Sequence, residues 1–205
     1  MSTLASMRKL TFAVLLLACN KPDAAAVDAA PSASASAPPQ QAEVITRGKW
    51  WTVAQKSRVY TEERRVDADN GLRLLPETQR TIAVRALNDM ANQDPTGDGL
   101  RAASQIARDA QDRVEDVHNP AAKTAIATAA FIVLHGMIAK ACADHPDVAS
   151  LTPVMAAVRE MPLPKLDKSD GRAERHVLEQ EMSTALDEKT MKALLASAPG
   201  PKKSL

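Results

Sequence analysis

The chain has 205 residues, 45% of them hydrophobic and only 2% aromatic, with 26 basic against 25 acidic side chains. So even a mixture of charge leaves no electrostatic footprint for nucleic acid or for an anionic membrane surface. Few aromatics, 7 glycines and an abundance of Ala, Leu, Met, Arg and Glu favour helix over strand.

The first element is the run ending at Cys19. Arg8 and Lys9 supply positive charge, Leu10 to Leu17 carry none, and Ala18 is small. That order is the charged, apolar, small-residue sequence of a secretory signal peptide, and the run is too short to span a bilayer. Leu16-Leu17-Ala18-Cys19 resembles the lipobox of bacterial lipoproteins. The resemblance implies cleavage after residue 18, a diacylglyceryl thioether on Cys19, and N-acylation of the new terminus. Several acyl chains at about 0.8 kcal/mol per buried CH2 make a stable membrane anchor where one does not. In that family an Asp after the lipidated cysteine favours the inner membrane; here the residue is Asn20, which implies the outer membrane. The competing reading is an ordinary signal peptide cut elsewhere, with Cys19 incidental.

Residues 19–42 are dominated by Ala, Ser and Pro and hold one large aliphatic residue, Val27. Such a segment cannot bury enough apolar surface to offset its ordering entropy, so it is expected to be a disordered tether with a reach of about 30 Å. Residues 43–198 then form one domain, and 199–205 a disordered tail. Loss of residues 1–18 removes Arg8 and Lys9 and leaves a net charge of −1. With Cys19 acylated, Cys142 stands alone, so no intrachain disulfide is expected and stability rests on packing.

The domain is expected to be all-α, a single bundle of five or six helices. Val44 to Val66 is ambiguous: helix is favoured, but "KWWTV" and "SRVYT" also suit strands. Pro76 and Glu77 suit a helix start, followed by Ile82, Ala83, Ala86, Leu87 and Met90 at helical spacing. Leu100, Ala103, Ile106, Ala110, Val114 and Val117 trace an apolar stripe, with charged residues between. Residues 121–143, opened by Pro120, carry no charge from Thr124 through Ala139 and are apolar nearly all round. The pattern predicts the central core helix, its 16 uncharged residues falling short of the ~20 that span a membrane. Val148 to Glu160 reads as helix, as do the stripe from Ala173 to Leu186 and a short piece near Thr190 to Ala196.

Candidate chemistry is thin. "DPTGDG", Asp94 to Gly99, opens like a calcium loop, but Gln105 stands where the bidentate carboxylate is needed, so a turn and helix cap are expected. Asp167 to Gly171 reads as another cap. His135 and Cys142 share a helical face but lie about 10 Å of rise apart, too far for one ion. Cys142 and His145, at i and i+3, are the candidate metal pair and lack a third ligand that the sequence would select. Glu115 and His118 have di-iron spacing without a second copy. His176 with Glu179 and Gln180 lies in a stretch that reads as a solvated helix face. There is no nucleophile elbow, Walker loop or His-Glu-x-x-His. Trp50 and Trp51 are candidates for a partner or headgroup contact, against the plainer role of capping the core.

No catalytic residue and no cofactor are expected, and two function classes stay open. One is a non-catalytic interaction or scaffolding module, anchored in the envelope by lipid and meeting an envelope protein partner. The other is a bundle with a metal or small-ligand site around Cys142 and His145, including an enzyme of unfamiliar design.

Overall fold

Helix caps divide the domain first. Thr61 accepts from Arg64 N, Thr96 from Gly99 N, Asp147 from Ser150 N and Asp187 from Thr190 N, each an oxygen satisfying a first-turn amide. A computed structural model describes residues 46–114, 120–166 and 171–198, all within one compact unit. The signal run, Cys19, the tether, Glu115 with His118, Asp167 to Asp170 and the tail 199–205 lie outside the described residues.

Among the described residues the fold is all-α, with eight helices. They are α1 (Lys49–Ala54), α2 (Glu62–Arg73), α3 (Glu77–Ala91), α4 (Gly97–Arg113), α5 (Pro120–Asp144), α6 (Val148–Glu160), α7 (Arg172–Ala185) and α8 (Glu188–Ser197). The count exceeds five or six because the ambiguous stretch near Val44 to Val66 contributes two helices, α1 and α2, joined by an irregular strap. "KWWTV" falls in α1, and "SRVYT" is that strap and the cap of α2, not a strand.

Helix α5 is the centre. It packs against α1, α2, α3, α4, α6 and α7, while α8 closes over α6 and α7. Ile126, Ala130, Val133, Leu134, Met137 and Ile138 are buried along one seam, and Phe131, His135 and Cys142 are buried on the side away from it. At 25 residues it is long and apolar enough to cross a membrane, unlike its charge-free run taken alone; yet 83% of its apolar window is buried inside the domain. Gly136 explains how closely α1 approaches it: a Cβ there would stand 2.0 Å from the Val53 carbonyl oxygen.

The N-terminal edge is closed by Trp50 and Trp51, both buried, their rings edge to face at 5.4 Å. Trp50 N donates to Asn88 Oδ1 at 3.0 Å, and its indole N–H to the Thr46 carbonyl. The Arg47 guanidinium lies over the Trp51 ring and donates to Asp69 Oδ2 at 2.9 Å; Arg73 reaches the same oxygen at 3.0 Å. Elsewhere Gln111 on α4 bridges to the carbonyls of Lys123 and Lys165 at 3.0 and 2.9 Å. Arg175 on α7 donates to the carbonyls of Val158 and Met161 at the end of α6. These polar ties leave the apolar core continuous from Trp50 to Leu194.

Candidate functional site: a buried carboxylate beneath the strap

A buried polar cluster forms where the strap between α1 and α2 crosses α5 and α7. Its hub is Glu181 of α7, fully buried, facing His135 of α5, which is 1% exposed. His135 Nδ1 lies 3.0 Å from Glu181 Oε2. An ionised carboxylate only accepts, so Nδ1 carries the proton. The same oxygen accepts from Ser57 Oγ at 2.7 Å and Val59 N at 3.2 Å, and Oε1 accepts from Arg58 N at 2.6 Å. Tyr60 N donates back to Ser57 Oγ at 3.2 Å, and the Tyr60 ring stands edge to face on the imidazole at 4.7 Å.

Four donors on one carboxylate decide its ionisation. Burial pushes the Glu181 carboxyl up, but the bonds from His135, Arg58 N and Ser57 outweigh it, and the group lies below its ordinary value. The far side of the imidazole is different. His135 Nε2 is buried without a hydrogen-bond partner, a lone pair whose desolvation costs on the order of 1–3 kcal/mol.

A histidine oriented by a carboxylate, with a serine adjacent, has the composition of a hydrolytic triad but not its geometry. The Ser57 hydroxyl is committed to Glu181 and does not point at Nε2, so the base would have no nucleophile to deprotonate. Two surface grooves are lined by other residues: Ile82, Ala86, Ile106 and Ala110 floor a cleft of about 430 Å³ between α3 and α4. A second, of about 490 Å³, lies between α2 and α5 beside Leu74, which is 86% exposed. The cluster therefore works as a clasp that fastens the strap to two helices.

The candidate metal pair divides between two surroundings. Cys142 is buried near Glu181 and Arg58; burial and the Glu181 charge push its thiol up to about 11, with Arg58 opposing, so the thiolate that metals bind is disfavoured. His145 is exposed at the end of α5 and lines a groove with Thr96, Asp98 and Ser150. Among the described residues no group of three or more His, Cys, Asp or Glu side chains is placed to hold a metal ion. Trp50 and Trp51, the candidate partner contacts, point inward.

Glu181 and Ser57 were not legible as site residues. The stretch from Arg172 to Met182 reads as solvated, and His176 is indeed exposed, but Glu181 and half-buried Arg175 turn inward. The available signal was register: Glu181 stands three residues after Leu178 and four after Val177, inside the apolar stripe. Comparison with known proteins supplies no family for this arrangement, since no family model, curated protein or solved structure matches the chain.

Proposed function

We propose that the chain is an envelope lipoprotein, anchored in the outer membrane through acylated Cys19, whose helical domain is a non-catalytic interaction or scaffolding module. The observation that carries the reading is the charged, apolar, small-residue run closing on Leu16-Leu17-Ala18-Cys19. The most apolar helix being enclosed by its neighbours supports an anchor outside the domain. A polar interior bound to itself, with Ser57 turned away from His135 Nε2, supports a role without catalysis. The tether of residues 19–42 gives the domain reach toward an envelope protein partner.

The test is mass spectrometry of the mature N-terminus together with in-cell crosslinking. Acylated Cys19 and one reproducible envelope crosslink, weakened by Leu74→Glu at the exposed leucine, are the expected results. An unmodified Cys19 thiol removes the anchor, and turnover of a substrate that is lost with His135→Gln removes the non-catalytic role. The second reading, a metal or small-ligand site near Cys142 and His145, draws on the groove that His145 shares with Asp98. Elemental analysis of tag-free protein tests it: stoichiometric metal lost on Cys142→Ser and His145→Ala is its signature.

A further inference from the structure

We infer that Ser57 to Tyr60 is an acid-released latch, a strap fastened by the single carboxylate of Glu181, whose opening uncovers His135 and Cys142 while the remaining helices stay folded.

The argument starts from how the strap is held. Its polar attachments to the buried cluster are the Ser57 hydroxyl and the amides of Arg58 and Val59, and all three end on Glu181. The other ties lie at its two ends: Ser57 N donates to the Ala54 carbonyl at 3.2 Å, Arg58 Nη1 reaches the Thr184 carbonyl at 3.4 Å in an exposed position, and half-buried Tyr60 packs on the core with its carbonyl held by Arg65 at 2.6 Å. Because its inward side-chain and amide bonds from Ser57 to Val59 all gather on one carboxylate, that stretch is released as a unit. Adding a proton to Glu181 places an O–H on one of two oxygens that face only donors and removes the charge that strengthens the other bonds, so the fastening weakens as a whole.

The closed state also carries a defect that opening repairs. His135 Nε2 has no partner under the strap, and water supplies one once the strap lifts. The other ionisable groups around the cluster are Arg58 and Tyr60 on the strap, Cys142 on α5, Glu174 on α7 and Arg64 on α2. Glu174 and Arg64 act on Tyr60 with opposite sign, and Cys142 is neutral in the acid range. None of them substitutes for Glu181 as the fastening. Since the Glu181 carboxyl titrates below its ordinary 4.5, the latch is closed at neutral pH and opens in acid.

Cys142, two turns along α5 from His135, lies within the field of both Glu181 and Arg58 and is 3% exposed, which makes its thiol a reporter. The experiment uses the full chain in detergent, labelled with an acid-tolerant dipyridyl disulfide from pH 7 to pH 3 and read residue by residue by mass spectrometry. Helical circular dichroism is followed in parallel. The expected result is a rise of roughly tenfold or more in Cys142 labelling on acidification, at pH values where the helical signal is intact. Glu181→Gln is expected to label at pH 7 as fast as the wild type does in acid. Label remaining in Cys142→Ala belongs to Cys19, so the outcome does not depend on the anchor. Labelling that appears only with loss of the helical signal overturns the latch, as does a Glu181→Gln protein that folds and labels no faster than wild type. Should that variant fail to fold, the wild-type pH series decides alone.

Discussion

Two glycines in helix interiors make opposite predictions from the same chemical change. Gly136→Ala puts a Cβ 2.0 Å from the Val53 carbonyl oxygen and 2.6 Å from its carbon, so the backbone of α1 must retreat by at least about 1 Å. Overpacking costs typically 1–3 kcal/mol, and the upper end applies where the obstacle is backbone. Against this stands the helix preference for Ala over Gly, about 1 kcal/mol. The net expectation is a loss of about 2 kcal/mol, or a fall of about 4–8 °C in Tm for a domain of this size. Gly71→Ala gains the same preference, and its Cβ meets only the Ala125 Cβ at an ordinary 3.7 Å. It should stabilise by about 0.5–1 kcal/mol. Thermal unfolding by circular dichroism reads both. Fluorescence of Trp50 and Trp51, the two tryptophans of the chain, reports whether α1 has shifted. Two variants moving Tm in the same direction would refute the close approach of α1 to α5.

Four further outcomes are expected. Glu181→Gln should cost about 2 kcal/mol at pH 7, because an amide in its place faces buried donors it cannot all accept from, and should flatten the acid limb of the urea midpoint. The sign follows from a folded value below the unfolded one: the contribution is full above the unfolded value and is lost as pH falls, so an unchanged acid limb counts against it. For Cys142 the sign reverses, because its thiol is raised from 9.0 to about 11. Its contribution is present below 9 and disappears as pH rises toward 11, a dependence that Cys142→Ala should remove from the midpoint profile. Asp187→Ala deletes the cap that accepts from both the amide and the hydroxyl of Thr190, and should cost about 1 kcal/mol, read as fraying of α8 by hydrogen exchange. Cys19→Ser should leave unprocessed precursor without acyl label; continued labelling of that variant would disprove the anchor.

The helices that were easiest to read are those whose pattern is set locally. Val148 to Glu160 has the expected bounds, and α5 exceeds 121–143 by one residue at each end, since Pro120 opens it and Asp144 closes it. Helix α4 starts at Gly97, before the first stripe residue, because Thr96 caps it. What was not legible depends on partners far along the chain. Glu63, Arg64 and Asp67 hide α2 under a polar face, and only packing on α5 reveals its buried Leu72. Glu181 has the composition of a surface residue, and its burial is decided by Ser57, 124 positions earlier. Local pattern finds helices; it does not find which charged residue faces inward when the donor comes from another element.

Because α5 is the wall against which helices from both halves of the chain lean, no early fragment can complete its own interior. Helices α1 to α4 pack partly on one another, α3 against α4 most of all, but the sides they turn to α5 stay unmatched until residues beyond 120 have been made, and the fastening at Glu181 waits for nearly the whole polypeptide. Such an arrangement delays cooperative folding to the end of synthesis. A nonsense mutation before α5 should yield no folded remnant at all.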